Sequence, residues 1–238
     1  MSQALVVKKS ILEKTAFWSR FARKGEKIYG SLSLSSEEIS KFLEIIDNNK
    51  EFKERRGEEG IEDKPEYQQI ILYGLVRQQE KFFVYQRGGN NNSQYKETRL
   101  QSKISVGIGG HIEPFDNSLI DSLYREFDEE VILKKDKQII YLRNEKGEIN
   151  KELFNQLAEI KILGLIKYET DEVGETHMGL IAEIKLLLSE LFIEIRNHEE
   201  NINGQMMSIK EYQDWINQGE VVPEEWTKIV VEDFLKTK

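Results

Sequence analysis

Three glutamates in one short stretch of the chain have the spacing to bind a cation. Glu126, Glu129 and Glu130 stand at positions i, i+3 and i+4, so they share one face if the stretch is helical. Like charges at this spacing destabilise a helix by roughly 0.2–0.5 kcal/mol per pair, and a bound cation would reverse that penalty. Carboxylate oxygens are the hard ligands that Mg²⁺ prefers. Arg125, four residues before Glu129, is placed to orient that carboxylate.

An acidic helix face is, by itself, more often solvated surface than a metal site. The flanking sequence favours the metal site, because Gly109 and Gly110 follow a strand-like run at 104–108 and allow a close backbone approach to a ligand. Ser118 is a typical N-cap, and the pattern predicts a helix over 119–132. An apolar stripe lies roughly a quarter-turn from the glutamates. Its members are Ile120, Leu123, Phe127 and Val131.

The elements around this helix are predicted to be mixed strands and helices. Two β-prone runs that flank a polar turn predict a hairpin, and two more apolar runs flank a polar loop. Ser35 and Glu38 have capping-box spacing, which predicts a helix near the N-terminus. The predicted strands are 69–76, 82–85, 160–168 and 178–187, the loop is 169–177, and two C-terminal helices are 208–218 and 224–235.

Composition excludes several classes of function. The 238 residues carry a net charge of -9, which disfavours a general nucleic-acid or anionic-membrane surface. The chain has no cysteine, so a disulfide framework, a thiolate zinc site and a cysteine nucleophile are all excluded. No signal peptide and no run long enough to span a bilayer is found. We therefore expect a cytoplasmic protein, and the sequence leaves a homodimer open.

The stretch from Arg125 to Val131, Arg-Glu-Phe-Asp-Glu-Glu-Val, resembles the core of the Nudix box. The family pattern is Gly, five residues, Glu, seven residues, then Arg-Glu-hydrophobic-any-Glu-Glu-any-Gly-hydrophobic, and Gly110 stands at its opening glycine. The resemblance implies that Glu126, Glu129 and Glu130 bind the divalent metal, with the Gly110 carbonyl as a further ligand. It also implies that Arg125, Glu126 and Glu129 carry the catalysis.

The edges of the box depart from the family pattern. Asp116 replaces the first Glu, and the spacing from Asp116 to Arg125 is one residue longer than the pattern. Ile132 replaces the last Gly, and Phe115 stands where Gly is frequent. These changes fall on the loops that flank the helix, so they affect the loop geometry more than the three glutamates.

The resemblance extends from about residue 55 to the C-terminus. It includes the segments 66–71, 83–87, 97–100, 105–112 and 174–180, and it is closest to a bacterial phosphoesterase-like subgroup of Nudix proteins. It implies an α/β (α+β) class, with an α/β/α sandwich around a mixed β-sheet. We predict a Nudix domain at 66–238 and an N-terminal helical extension at 1–65 that docks onto it.

The chemistry that the family resemblance implies is Mg²⁺-dependent hydrolysis of a phosphate anhydride, with Mn²⁺ as a substitute metal. The expected substrate is a nucleoside diphosphate linked to another moiety, and a nucleic-acid polymer or a membrane is not expected as a partner. The general base is left open between Glu129 and three residues of other loops, Glu113, Glu172 and Glu175.

Four residues outside the metal set are predicted to contact the substrate, and they are Arg87, Arg99, His111 and Glu113. The two arginines lie on the strand-loop-strand arm before the box, where a guanidinium can bind phosphate. An ordinary surface ion pair is an equally good interpretation of both arginines.

Two other functions are weighed against hydrolysis. An isomerase of the isopentenyl-diphosphate type shares the fold, but its chemistry relies on a cysteine that this chain lacks. A non-catalytic module that senses a nucleotide would not need the three glutamates. The chain contains no phosphate-loop motif GxxxxGK[ST], no GxSxG elbow and no HExxH zinc motif.

Overall fold

A computed structural model describes most of the chain. The described residues are 2–58, 60–87, 103–196, 204–219 and 221–236. No helix within these residues is both long enough and apolar enough to cross a membrane.

The chain divides into two compact units, each made of several segments. The first unit comprises Met1–Tyr73, Gly109–Leu123 and Ile162–Ala182. The second unit comprises Gly74–Ile108, Tyr124–Lys161 and Glu183–Lys238. The predicted division of the chain at residue 65 stays a prediction.

Helices and strands alternate irregularly along the chain. The helices are α1 (Lys9–Leu12), α2 (Ser36–Asn49), α3 (Leu119–Glu130), α4 (Lys151–Leu157), α5 (Glu172–Thr176), α6 (Ile209–Asn217) and α7 (Glu225–Val230), with a 3-10 turn at Trp18–Arg20 and a π-helical turn at Val231–Leu235. The strands are β1 (Gln3–Lys8), β2 (Ala22–Lys24), β3 (Lys27–Ser33), β4 (Glu51–Glu54), β5 (Tyr67–Gln78), β6 (Lys81–Gln86), β7 (Lys103–Ser105), β8 (Gly107–Ile108), β9 (Val131–Lys135), β10 (Gln138–Ile140), β11 (Ala158–Tyr168), β12 (His177–Leu186), β13 (Leu191–Ile195), β14 (Gly204–Met207) and β15 (Val222–Pro223).

The pairing of the strands is mixed, which confirms the predicted α/β class. Strand β15 runs parallel to β7. The pairs β1 with β4, β3 with β11, and β6 with both β7 and β14 are antiparallel. The predicted hairpin is β5–β6, where Arg77 pairs with Phe82 and the turn residue Gln79 has φ 53°.

The N-terminal residues are only partly helical, in contrast to the helical extension that the sequence predicts. Helix α2 is present, with Ser35 and Glu38 forming the predicted capping box. The same region also contains strands β1 to β4. Strand β1 pairs with β4 on one side and with the start of β5 on the other, where Val6 faces Gln69. This pairing is long-range, so the local hydrophobic pattern did not reveal it.

The core of the first unit combines N-terminal and later residues. Phe17 packs edge-on against Phe42 of α2, with ring centroids 5.5 Å apart. Trp18 is buried, as are the strand residues Leu72 and Leu165. Phe17 and Trp18 are therefore part of this core, together with later strand residues.

Candidate functional site

The loop before α3 is held by Asp116, the residue that replaces the first Glu of the box. Its Oδ2 accepts hydrogen bonds from the backbone N–H of Glu113 at 2.8 Å and from the hydroxyl of Ser122 at 2.7 Å. Ser118 caps the helix, because its Oγ accepts from the backbone N–H of Asp121 at 3.1 Å. The shorter aspartate therefore shapes the irregular edge of the box.

Helix α3 buries the apolar stripe that the sequence predicts. Leu123 and Phe127 are fully buried. Within the second unit, Phe127 packs edge-on against Phe154 of α4, with ring centroids 5.3 Å apart, and Tyr124 packs against the same ring at 4.6 Å. This packing fixes the rotation of the helix, so the glutamates lie roughly a quarter-turn from the buried stripe.

Two of the three glutamates are paired with the arginine that precedes them. Arg125 Nη1 donates to Glu126 Oε1 at 2.8 Å and lies 3.3 Å from Glu129 Oε2. The Glu126 side chain is 14% exposed, whereas that of Glu129 is 48% exposed. Glu126 is thus held close to the protein, and Glu129 extends towards solvent.

A second arginine, Arg143, contacts the same helix and was missed by the sequence analysis. Its Nε donates to Asp128 Oδ2 at 2.6 Å, and its Nη2 lies 3.8 Å from Glu129 Oε1. Arg143 is separated by more than a dozen residues from its partners, so no motif spacing could have identified it. Two guanidinium groups therefore offset the negative charge of this helix face.

The predicted helix 119–132 is two residues too long. Helix α3 ends at Glu130, and Val131 and Ile132 already pair in strand β9 with β13. The backbone N–H of Arg196 donates to the Glu130 carbonyl at 2.7 Å, and its Nε donates to the Asp128 carbonyl at 3.0 Å. Arg196 thus satisfies carbonyls that a C-terminal glycine motif would otherwise serve, which explains why Ile132 is tolerated at the usual Gly position.

In the second unit, the charges of Glu130 and Arg87 both affect the pKa of the buried Tyr85 phenol. Burial raises the pKa of Tyr85, the nearby Arg87 opposes that rise, and Glu130 and Glu224 add to it. The Tyr85 hydroxyl donates to the Gly107 carbonyl at 2.9 Å. A predicted metal ligand and a predicted phosphate ligand therefore lie within electrostatic range of one side chain.

Arg87 forms an ion pair whose partner the sequence did not suggest. Its Nε donates to Glu224 Oε2 at 3.0 Å, and its guanidinium lies 5.7 Å from the centre of the Tyr85 ring. The Arg87 side chain is 31% exposed, whereas that of Glu224 is 6% exposed. Arg99, the second predicted phosphate ligand, lies outside the described residues.

The glycine turn before the box requires a residue without a side chain. Gly109 has φ +141°, and a Cβ there would lie 2.3 Å from the Leu72 carbonyl oxygen. The Leu72 N–H donates to the Gly110 carbonyl at 3.0 Å. That carbonyl retains a second lone pair, which is compatible with its predicted role as a ligand.

The rings of His111 and His177 lie together, a contact between distant residues that no local sequence pattern indicates. The rings of His111 and His177 meet edge-to-face with centroids 5.5 Å apart. His111 Nε2 lies 2.9 Å from Oε1 of Gln69, a fully buried side chain. A single antiparallel β-bridge between His111 and Ile71 holds His111 beside strand β5.

His177 is expected to make the folded protein acid-sensitive. Burial lowers its pKa to about 4, whereas an unfolded histidine titrates near 6.5. Between these values the unfolded chain binds a proton that the folded chain does not, so the free energy of unfolding falls as pH falls from 6.5 to 4. The full loss is about 3 kcal/mol.

Urea unfolding across that pH range tests this prediction. His177 Nδ1 lies 2.7 Å from the Val173 carbonyl, and His177→Asn retains a donor there without a titratable ring. The variant should lose most of the slope between pH 6.5 and 4. An unchanged slope in the variant would assign the acid sensitivity to other groups.

The loop that carries two candidate bases is clamped from inside the first unit. Lys167 is fully buried, and its Nζ donates to the carbonyls of Gly174 at 2.6 Å and His177 at 3.0 Å. Burial lowers the pKa of Lys167 to about 7. Glu172 is exposed at the start of α5, and the carboxylate of Glu175 pairs with Lys27. Glu172 is therefore the more accessible of the two.

The donor set on α3 suits a hard cation in chemistry. Three carboxylates on one helix provide the oxygen ligands that Mg²⁺ binds, and their negative charge is only partly offset by the neighbouring arginines. Across the part of the chain that the structure describes, however, no three His, Cys, Asp or Glu side chains converge closely enough to hold a metal. Glu126 and Glu129 turn towards Arg125, so metal binding would require rotation of these side chains.

Comparison with known proteins identifies the fold. No protein-family model matches the sequence. Protein YmaB of Bacillus subtilis (strain 168) is 28% identical over 182 residues, which cover 75% of each chain. The crystal structure of Tm1382, a candidate Nudix hydrolase, superimposes with a TM-score of 0.66 at 20% identity over 99% of this chain and 100% of that one. A Nudix hydrolase from Nitrosomonas europaea matches with a TM-score of 0.40 at 15% identity, over 71% and 89% of the two chains.

Proposed function

We propose that this chain, which has the Nudix fold, is a magnesium-dependent pyrophosphohydrolase. Its substrate would be a nucleoside diphosphate linked to another moiety, or a related phosphate anhydride. Hydrolysis at the anhydride would yield two phosphorylated products.

One observation carries the proposal. On helix α3, Arg125 forms ion pairs with Glu126 and Glu129. The charge of Glu130, on the same helix, helps to raise the pKa of the Tyr85 phenol, whose ring lies near the Arg87 guanidinium. Acidic groups suited to a cation and a basic group suited to a phosphate therefore both belong to the second unit, which supports the proposal. The Glu126 side chain is only 14% exposed and is held by its ion pair with Arg125, which favours a specific role over a solvated surface charge.

In the proposed mechanism, Glu126, Glu129 and Glu130 would hold the metal. When bound, Mg²⁺ supplies charge neutralisation of the phosphate oxygens and a more acidic water. Arg125 orients two of the carboxylates, because its guanidinium contacts both and stays charged at any physiological pH. Arg143 supports Glu129 from the other side at 3.8 Å.

Arg87 would bind the phosphate that is not attacked. Its guanidinium is 31% exposed, so an incoming phosphate can reach it without unfolding of the surrounding strands. The base that removes the proton from water would be Glu129, which is more exposed than Glu126. The alternatives are Glu113, Glu172 and Glu175, which lie in other loops.

A substrate panel tests the proposal. The purified protein should be incubated with nucleotide sugars, dinucleoside polyphosphates and nucleoside triphosphates, and the products followed by phosphorus NMR. We expect a mononucleotide and a second phosphorylated product from at least one member, with full dependence on Mg²⁺ and rescue by Mn²⁺ after chelation. A substrate whose bridging oxygen is replaced by methylene should remain intact.

Absence of turnover throughout the panel would contradict the hydrolase proposal. If calorimetry then showed tight nucleotide binding while no divalent metal supported cleavage, the chain would instead be a nucleotide-sensing module. The same calorimetric titration therefore separates the two functions.

A further inference from the structure

Glu224 occupies an unusual position for a carboxylate. It is 5% exposed and lies just before helix α7. Parallel pairing of β15 with β7 sets Pro223 opposite Ile104, and the Glu224 N–H donates to the Ile104 carbonyl at 3.1 Å. The backbone therefore fixes where this side chain begins.

The two carboxylate oxygens of Glu224 have different partners. Oε1 accepts from the Ser105 hydroxyl at 2.6 Å and from the Thr227 hydroxyl at 3.4 Å. Oε2 accepts from Arg87 Nε at 3.0 Å. Ser105 is fully buried, so one edge of the carboxylate is anchored to the protein and the other edge is presented to Arg87.

The geometry couples this carboxylate to the proposed phosphate-binding side. Tyr85 and Ser105 are register partners on β6 and β7, and Arg87 follows two residues after Tyr85, which places all three on one face of the sheet. An arginine side chain loses rotamer entropy when it is fixed in one geometry, so a guanidinium that is already oriented binds a phosphate at a lower entropic cost.

We infer that Glu224 is a positioning residue that fixes the Arg87 guanidinium for a substrate phosphate. This inference rests on the proposed function. Charge-assisted hydrogen bonding through Nε sets the plane of the guanidinium, and the buried anchor on Ser105 keeps that plane constant between free and bound protein. Glu224 does not itself contact the phosphate.

The purely structural alternative is that Glu224 only holds α7 against β7. The backbone bond to Ile104 and the bond between Thr227 and the Val106 N–H at 3.2 Å already make that connection. A structural role would act equally whether or not Arg87 is present. A positioning role acts only through Arg87, and this difference allows an experimental decision.

A double-mutant cycle on the full chain tests the inference. The cycle comprises the wild type, Glu224→Gln, Arg87→Gln and the double variant. Calorimetry measures the binding of imidodiphosphate to each protein in the presence of Mg²⁺. Steady-state kinetics gives KM and kcat for the substrate found in the panel. Glu224→Gln keeps an acceptor for Ser105 but removes the charge that orients Arg87. We expect it to weaken imidodiphosphate binding and raise KM by about 10-fold, with kcat changed much less.

In the Arg87→Gln background, the added Glu224→Gln change should alter binding by less than about 2-fold. Glu224→Asp should restore part of the affinity, because it restores the charge. The matched control is Glu225→Gln, the same substitution one residue later at a partly exposed glutamate paired with Lys228, and it should leave affinity and KM unchanged.

Suppose that the wild-type protein hydrolyses its substrate. Glu224→Gln effects that are equal in both backgrounds, or absent in both, would then overturn the inference and leave the proposed function standing. If the wild-type protein neither binds imidodiphosphate nor cleaves any panel member, the proposed function fails and the inference fails with it. Thermal melts of each variant identify a loss that comes only from unfolding.

Discussion

Glu129→Gln is expected to lower kcat of anhydride hydrolysis by on the order of 10²–10³-fold, with a smaller change in KM. The substitution removes one negative charge from the proposed metal site, and metal stabilisation of transition-state charge contributes several kcal/mol, at about 1.4 kcal/mol per factor of ten. Glu129 is 48% exposed, so the neutral amide is accommodated without disturbing the core. Glu126→Gln should act in the same direction.

Steady-state kinetics as a function of Mg²⁺ concentration measures this effect. A lost ligand raises the Mg²⁺ concentration needed for half-maximal rate, whereas a lost base lowers the rate even at saturating Mg²⁺. Glu152→Gln is the matched control, because it makes the same change on an exposed residue of helix α4. Activity of Glu129→Gln within about 2-fold of wild type would show that the metal assignment is wrong.

Gly174→Ala is expected to destabilise the first unit by about 3 kcal/mol or more. A Cβ at Gly174 would lie 1.5 Å from the Tyr168 carbonyl oxygen and 3.0 Å from the Asp171 carboxylate. The residue cannot shift to relieve this overlap, because its N–H donates to Asp171 Oδ1 at 2.6 Å and its carbonyl accepts from Lys167 at 2.6 Å. Overpacking against fixed backbone is among the most destabilising single changes.

Urea unfolding of the variant gives the free energy directly, and soluble yield on expression gives a second measure. Gly25→Ala is the control in the same unit. Gly25 has φ +65° but no atom within 4 Å of an added Cβ, so it bears only the left-handed strain of about 1 kcal/mol. Equal losses at both positions would mean that the Tyr168 overlap is relieved by movement of the loop.

Features encoded within one helix could be predicted from the sequence. Ser118 as the cap, the buried stripe through Leu123 and Phe127, and the pairing of Arg125 with Glu129 all depend on residues one or two turns apart. Helical periodicity fixes these relations whatever surrounds the helix. The hairpin at Gln79 could also be predicted, because its two strands are adjacent in the sequence.

Relations between distant segments could not be predicted. Glu224 and Arg87 are 137 residues apart, and Arg196 reaches Asp128 across 68 residues. Each of these residues has an ordinary interpretation as an exposed charge in a sequence that is 32% charged. Only strand register brings them to their partners. The end of α3 was misplaced for the same reason, since β-branched residues at 131–132 pair with a strand more than 60 residues later.

Strand β1 also has a consequence for how the chain can be shortened. Its residues cover the start of β5, and Lys9 forms an ion pair at 2.7 Å with Glu169, a carboxylate that is 3% exposed and also lies 3.6 Å from Lys167. A fragment beginning at residue 66 would leave Tyr67–Gln69 at the start of β5 without their β1 partner, and a strand with an uncovered edge is a template for intermolecular β-sheet growth. Residues that look like an appendage thus act as a guard against aggregation.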